Sequence, residues 1–263
     1  MIYIAHIRER DQAVQSVEEH SWGVKDLAEK YGEKIGVKHI AGLAGMLHDM
    51  GKYSKQFLNY ILEAVQNPDA PPRRGSVDHS TAGGRLLYNM YHKGSPSLHH
   101  WALAEIVGNA VISHHSYLHD FLSGNLESPF LNRVENKECP GYEEVQKLFF
   151  EKVMDKSSFQ AYVEKALAEL AEFLAKTPPN QLERNLMFLT KYVFSALIDA
   201  DRTNTRQFEE NEQEVEGPDV RILFRRYYER LMDRLESFRT ENPKEAAIHR
   251  LRREMSDRCE IFA

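Results

Sequence analysis

Cysteine is nearly missing from this chain of 263 residues. Cys139 and Cys259 stand far apart, too few for a disulfide framework, and a reducing cytoplasm is the expected setting. No apolar run approaches the roughly 20 residues that a membrane-spanning helix needs, so no membrane association is expected. The opening MIYIAHIRERDQ is too short in apolar residues to read as a signal peptide. A basic excess is absent as well: 34 Lys and Arg stand against 40 Asp and Glu, a net charge of -6. No overall field therefore draws in nucleic acid, and such binding has to come from a local patch or a partner. Internal repeats and low-complexity tracts are lacking. What remains is 42% hydrophobic and 28% charged, the balance of an ordinary globular protein with a sizeable core.

The hydrophobic spacing is helical nearly throughout. Ser16 and Glu19 form the Ser-x-x-Glu pattern of a capping box, Val24, Leu27, Tyr31 and Ile35 follow on one face, and Gly36 marks the stop. The spacing predicts further helices at about 38–48, 54–65, 78–91, 98–114, 142–154, 159–175, 181–201, 220–238 and 243–261. Period-two alternation appears only in MIYIAHI. PDAPPRRGS reads as a turn-rich loop, and residues 116–141 as a long irregular one, of the kind usually tied to function or movement.

Within this helical frame, AGMLHDMGKYSKQF is chemically odd. His48, Asp49 and Lys52 fall where an apolar helix should end in the core. Burying even a neutral polar group without a partner costs roughly 2–7 kcal/mol. Other polar residues sit in similar places. His20 lies on the apolar face with Val24 and Leu27, His79 opens a predicted helix, His114 and His115 close another, and Asp201 continues the stripe of Phe194 and Leu197. Asp199 lines up with the less buried Ser195 and Tyr192. Each histidine alone reads most simply as a hydrogen-bonded core residue. Together, so many imidazoles and carboxylates would make a costly core unless a divalent cation gathers them. Histidine with carboxylate suits Mn, Fe, Co, Ni or Zn, and the missing cysteine argues against a structural zinc site. Asp49 has two oxygens and could bridge two ions, the usual arrangement for cutting phosphodiesters.

These residues resemble a known family. His20, His48-Asp49 and Asp201 give the H…HD…D pattern of the HD phosphohydrolase superfamily. HDMGKYSKQF resembles the HD-x-G-K-x-x-x-x-F motif in the nuclease domain of the CRISPR-associated type I helicase-nuclease. AHIRERDQAVQSVEEHSWGV resembles its opening segment, DHSTAGG and SHHS its further histidine motifs, and SALIDADR its last metal motif. The resemblance runs from about His6 to Asp201. It implies an all-α fold, an HD-domain helical bundle with the metal site in its core. It also implies a two-ion site. His20, His48, Asp49 and Asp201 would hold one ion, and Asp49, His79, His114 and His115 the other, with Asp199 as a second candidate for the last aspartate. Asp49 and Lys52 would be catalytic, Lys52 at the scissile phosphate. RREMSDRCEIFA resembles the family's helix leading into a helicase, through Arg252 or Arg253, Ser256 and Cys259. No G-x-x-x-x-G-K-[ST] motif is present. The expectation is therefore one nuclease domain over 1–263, with its core at about 1–210 and C-terminal helices over 211–263. It would be either cut from a longer protein or a stand-alone subunit.

The implied activity is hydrolysis of single-stranded DNA, with a helicase and a CRISPR surveillance complex as partners. Arg73, Arg74, Tyr117 and His119 are candidates to guide the strand. Arg226, Arg230 and Arg234 form a stripe that reads better as a solvated face paired with Glu229, Asp233 and Glu236. A serine nucleophile, Ser113 or Ser116 beside His114, has no supporting motif. Two other readings are a single-ion HD phosphohydrolase acting on nucleotides, and a helical module whose metal site is structural.

Overall fold

The computed structural model describes residues 1–73, 75–95, 97–212, 219–237 and 242–262; Arg74 and the side chain of Cys259 lie outside them. The chain divides into two units, Met1–Glu212 and Gln213–Ala263. The all-α expectation holds: eleven α-helices lie among the described residues, beside one small two-stranded sheet.

The first unit is built round a helix with no polar face. α2 (Lys38–Leu47) buries every residue from Ile40 to Leu47. A helix apolar all round is stable only when surrounded. Here α1 (Val17–Glu33), α5 (Leu98–Ser113), α8 (Lys156–Ala175) and α9 (Leu182–Glu210) all pack on it. Its first turn has no side-chain cap of its own. Glu169 of α8 supplies one, accepting from the backbone N–H groups of His39 and Ile40 at 2.8 and 3.1 Å. α1 begins at the expected capping box on Ser16 and Glu19.

Four boundaries differ from the expectation. The short alternation becomes a hairpin of β1 (Ile4–Ile7) and β2 (Val14–Ser16). The helix foreseen at 78–91 starts later, as α4 (Thr81–Leu87), because Asp78 folds back to accept from the N–H groups of Ser80 and Thr81. It then widens into a π turn at Tyr88–His92. The irregular 116–141 stretch contains α6 (Pro129–Asn136), capped by Ser128 with proline at its start. And α9 does not stop at Asp201 but continues to Glu210, so Asp201 is an interior residue of a 29-residue helix.

Two glycines set the spacing of the layers around the site. A Cβ at Gly83 would lie 2.2 Å from the Leu47 carbonyl oxygen, and one at Gly51 2.3 Å from that of His79. Real side chains do not approach so closely, so α4 and the His79 segment can lie against the end of α2 only because both positions lack a side chain. The Gly51 N–H then donates to the His79 carbonyl at 3.1 Å.

The remaining helices of this unit are α3 (Lys55–Gln66) and α7 (Tyr142–Lys152). In the second unit, α10 (Val220–Glu236) and α11 (Pro243–Phe262) are exposed along most of their length, Arg226, Arg230 and Arg234 included. No helix among the described residues is long and apolar enough to cross a membrane.

Candidate metal centre

Helix ends deliver the histidines. α2 closes on His48 in helical geometry (φ −56°), whereas Asp49 leaves the helix at φ −107°. That change folds the carboxylate beneath the neighbouring ring, with Asp49 Oδ2 3.2 Å from His48 Nε2. His20 projects from the buried face of α1 to the same oxygen, also at 3.2 Å. Asp201, from the middle of α9, places Oδ1 3.3 Å from His20 Nε2 and 3.6 Å from His48 Nε2. Asp199 is exposed and belongs to neither cluster of ligating atoms. On the other side of the carboxylate, Asp49 Oδ1 lies 3.5 Å from His79 Nε2 and 3.4 Å from His114 Nε2. His115 brings its own Nε2 to within 2.5 Å of that of His79.

The outer nitrogens show why these atoms converge. His48 Nδ1 lies 2.8 Å from the Gly45 carbonyl, His114 Nδ1 2.7 Å from that of Val111, and His79 Nδ1 3.2 Å from that of Val77. His20 Nδ1 lies 2.8 Å from Asn204 Oδ1, which also accepts from Gln15. An oxygen acceptor at Nδ1 requires the proton there and leaves the Nε2 lone pair facing inward, the orientation found in histidines that ligate metals. His20 and His48 Nε2 are 3.2 Å apart and both meet a carboxylate oxygen. Asp49 Oδ1 and His114 Nε2 are buried with no hydrogen-bond partner. Each such orphan costs about 1–3 kcal/mol. A divalent cation on either side of Asp49 satisfies all of these lone pairs, so the donor set fits. Asp49, His79, His114 and His115 form one group of ligating atoms, and His20, His48 and Asp201 another, each within 4.8 Å.

Without an ion, protons settle part of this charge. Burial alone would lower His48, but Asp49 and Asp201 outweigh it and push the imidazole up to about 10. Burial would raise Asp49 and Asp201, yet His48 and Lys52 hold Asp49 well below the usual carboxylate range, and His20 and His48 do the same for Asp201. Burial pushes His79 down to about 3 and, with help from His114, His115 down to about 4. His79 and His115 therefore stay neutral at ordinary pH, ready to ligate.

Lys52 is buried, with Nζ 2.7 Å from Asp49 Oδ2 and donating to the Ala5 carbonyl at 3.3 Å. The fold thus brings His20, His48, Asp49, Lys52, His79, His114, His115 and Asp201 to one place. Two further residues were not anticipated as part of it. Asn204 holds the His20 ring, and its only signal is its position one turn beyond Asp201 on the same helix. His6 packs edge-on against His20 with ring centres 4.7 Å apart. Burial pushes its imidazole down to about 2. The serines take no part: Ser116 Oγ donates to the carbonyls of Ser113 and Tyr117, and Ser113 Oγ accepts from the His119 N–H. Tyr117 is exposed, 5.2 Å from the half-buried His119 ring, and Arg73 is exposed in its loop.

Residues 17–134 match the family model of the HD domain. This segment is similar to an HD domain. The match spans α1 to α6 and takes in every candidate ligand except Asp201. It supports the HD phosphohydrolase superfamily, and HD domains are typically metal-dependent hydrolases. No curated protein matches the chain. The His/Asp cluster could hold a divalent ion, as HD domains do, and the match suggests a metal-dependent phosphohydrolase.

Proposed function

We propose that this chain is a two-ion phosphodiesterase that cleaves single-stranded DNA in type I CRISPR interference. The observation that supports it best is the division of one carboxylate: Asp49 turns Oδ2 to His20 and His48, and Oδ1 to His79 and His114. In this reading His20, His48, Asp49 and Asp201 hold one ion, and Asp49, His79, His114 and His115 the other. Mn, Fe, Co and Ni suit the set best, and zinc also fits. Two such ions would supply Lewis acidity, lowering the pKa of water towards neutrality and offsetting charge on the phosphate.

The chain's own residues do the rest. Val77, Val111 and Gly45 carbonyls and Asn204 lock the rings, so little rearrangement accompanies the reaction. Lys52 adds a cation beside Asp49, placed to contact the scissile phosphate or the charge that develops on it. The single-ion reading, a nucleotide phosphohydrolase, uses only His20, His48, Asp49 and Asp201. It leaves the inward lone pairs of His79 and His114, and the neighbouring His115, without a purpose.

The detailed motif resemblance supports the CRISPR assignment. A helicase, as a further domain or a separate subunit, and a surveillance complex would deliver the strand in the cytoplasm, because the net charge of -6 gives this chain little attraction for DNA. Arg73, Tyr117 and His119 are proposed to guide it. The test is incubation with circular single-stranded DNA plus Mn²⁺, Co²⁺ or Ni²⁺, and separately with nucleotides. Nicked and then shortened circles are expected. Phosphate release from nucleotides with intact circles would establish the single-ion reading instead, and inertness towards both would leave a structural site.

A further inference from the structure

The hairpin ahead of α1 carries a histidine that neither the H…HD…D pattern nor the two ligand groups above use. In β1, Ile4 pairs with Ser16 and His6 with Gln15, so two residues advance on one strand for one on the other. This is a bulge with Ala5 as the extra residue, and bulges re-aim the side chains beside them. The hairpin is fastened to the metal-site helices at three points. Lys52 Nζ donates to the Ala5 carbonyl, Gln15 Nε2 donates to Asn204 Oδ1 at 2.9 Å, and Arg8 Nη1 donates to the Phe208 carbonyl at 2.7 Å. The strand therefore cannot drift from α9 or from the end of α2. Its fixed residue is His6, whose ring stands at 76° to that of His20. His6 Nε2 is buried and has no hydrogen-bond partner. A ring nitrogen of His6 lies within 4.8 Å of ligating atoms of both His20 and Asp49.

We infer that His6 is a further protein ligand of the ion held by His20 and Asp49, supplied by the β1 bulge. A cation shared with its two neighbours would satisfy the imidazole nitrogen that is buried without a partner at this position. Every other polar group there already has a use. Lys52 pairs with Asp49 and the Ala5 carbonyl, and Asn204 accepts from both His20 and Gln15. With His6, that ion gains a neutral donor, and the hairpin becomes part of the centre rather than a cover over it. The inference rests on the proposed two-ion site.

The test reads metal binding, without any substrate. Chelator-stripped wild type, His6→Ala and His6→Gln are titrated with Co²⁺, following heat and the visible Co²⁺ spectrum, with bound metal counted after desalting. Far-UV circular dichroism of the ion-free proteins confirms the fold of each variant. Wild type is expected to take two ions. In both variants one ion should bind as in wild type. The other should bind at least about tenfold more weakly, the scale on which loss of a supporting residue acts, with an altered Co²⁺ spectrum. Two ions bound by the variants with wild-type affinity and spectrum would overturn the inference and leave the two-ion site standing. A wild-type protein that takes fewer than two ions would overturn both.

Discussion

Asp49 is the residue on which the others converge. It is buried, it faces four imidazoles, and Lys52 neutralises it from 2.7 Å. Asp49→Ala should abolish cleavage and reduce bound metal to one ion or none per chain, counted by elemental analysis. Full activity in that variant would remove Asp49 from the mechanism. Lys52→Ala acts differently, because an ammonium ligates nothing. Metal content should stay near wild type while single-turnover cleavage slows by roughly 10²–10³-fold, the range for losing one charge-stabilising donor.

Histidine charges also predict how the ion-free protein responds to pH. An unfolded histidine titrates near 6.5. His6, His79 and His115, pushed by burial down to about 2, 3 and 4, stay neutral when folded. Below pH 6.5 the unfolded chain takes up protons that the folded one refuses, so stability falls with acid. His48, up to about 10, has the opposite sign. Its contribution is complete below 6.5 and is lost as pH rises towards 10. The melting temperature of chelator-stripped protein should therefore peak near pH 6.5, falling more steeply on the acid side, where three groups act against one. A midpoint that climbs steadily to pH 9 would contradict this charge assignment. Saturating metal should lift the alkaline side most, since the ion replaces the His48 proton.

At the scale of elements, α6 fixes the second ligand group without touching it. Arg133 donates to the Ile112 carbonyl at 2.8 Å, Ser80 Oγ at 2.7 Å, Thr81 Oγ1 at 2.9 Å and Asp78 Oδ1 at 3.3 Å. Those partners flank His79 in sequence and lie just before His114, so one side chain joins the start of α4 to the end of α5. Lys137 adds a second cation on Asp78, at 2.7 Å. Arg133→Ala should destabilise the protein by about 2 kcal/mol or more, because several acceptors lose a charged donor together. It should also weaken the ion at His79, His114 and His115 while sparing the one at His20 and His48. Co²⁺ titration and thermal melts measure both, and equal weakening of both ions would rule out this positioning role.

For the whole molecule, the division at Glu212 matters most. Every candidate ligand, including His6, belongs to the unit Met1–Glu212. A protein ending at Glu212 should fold, bind the same number of ions and nick circular single-stranded DNA at a rate within a few-fold of the full chain. Loss of metal on truncation would place a requirement for the site in the second unit.

Much of this could be read along the chain, because helices and their caps are local. The capping box of α1, the unbroken apolar run of α2 and the polar cluster at its end all depend on residues within a turn or two of one another, and periodicity reports such spacing directly. The family resemblance, carried by several separate motifs, gave the ligand positions at His20, His48, Asp49, His79, His114, His115 and Asp201 as an expectation. Other features were decided by contacts between segments far apart in sequence. Asp78 is withdrawn from α4 by Arg133 and Lys137, more than fifty residues later. The length of α9 past Asp201 puts Asn204 on His20 and the Phe208 carbonyl on Arg8, across 184 and 200 residues. The approach of β1 brings His6 against His20. No local pattern encodes such meetings, since a lone pair reveals what it needs only when the fold has removed water and every other partner from around it.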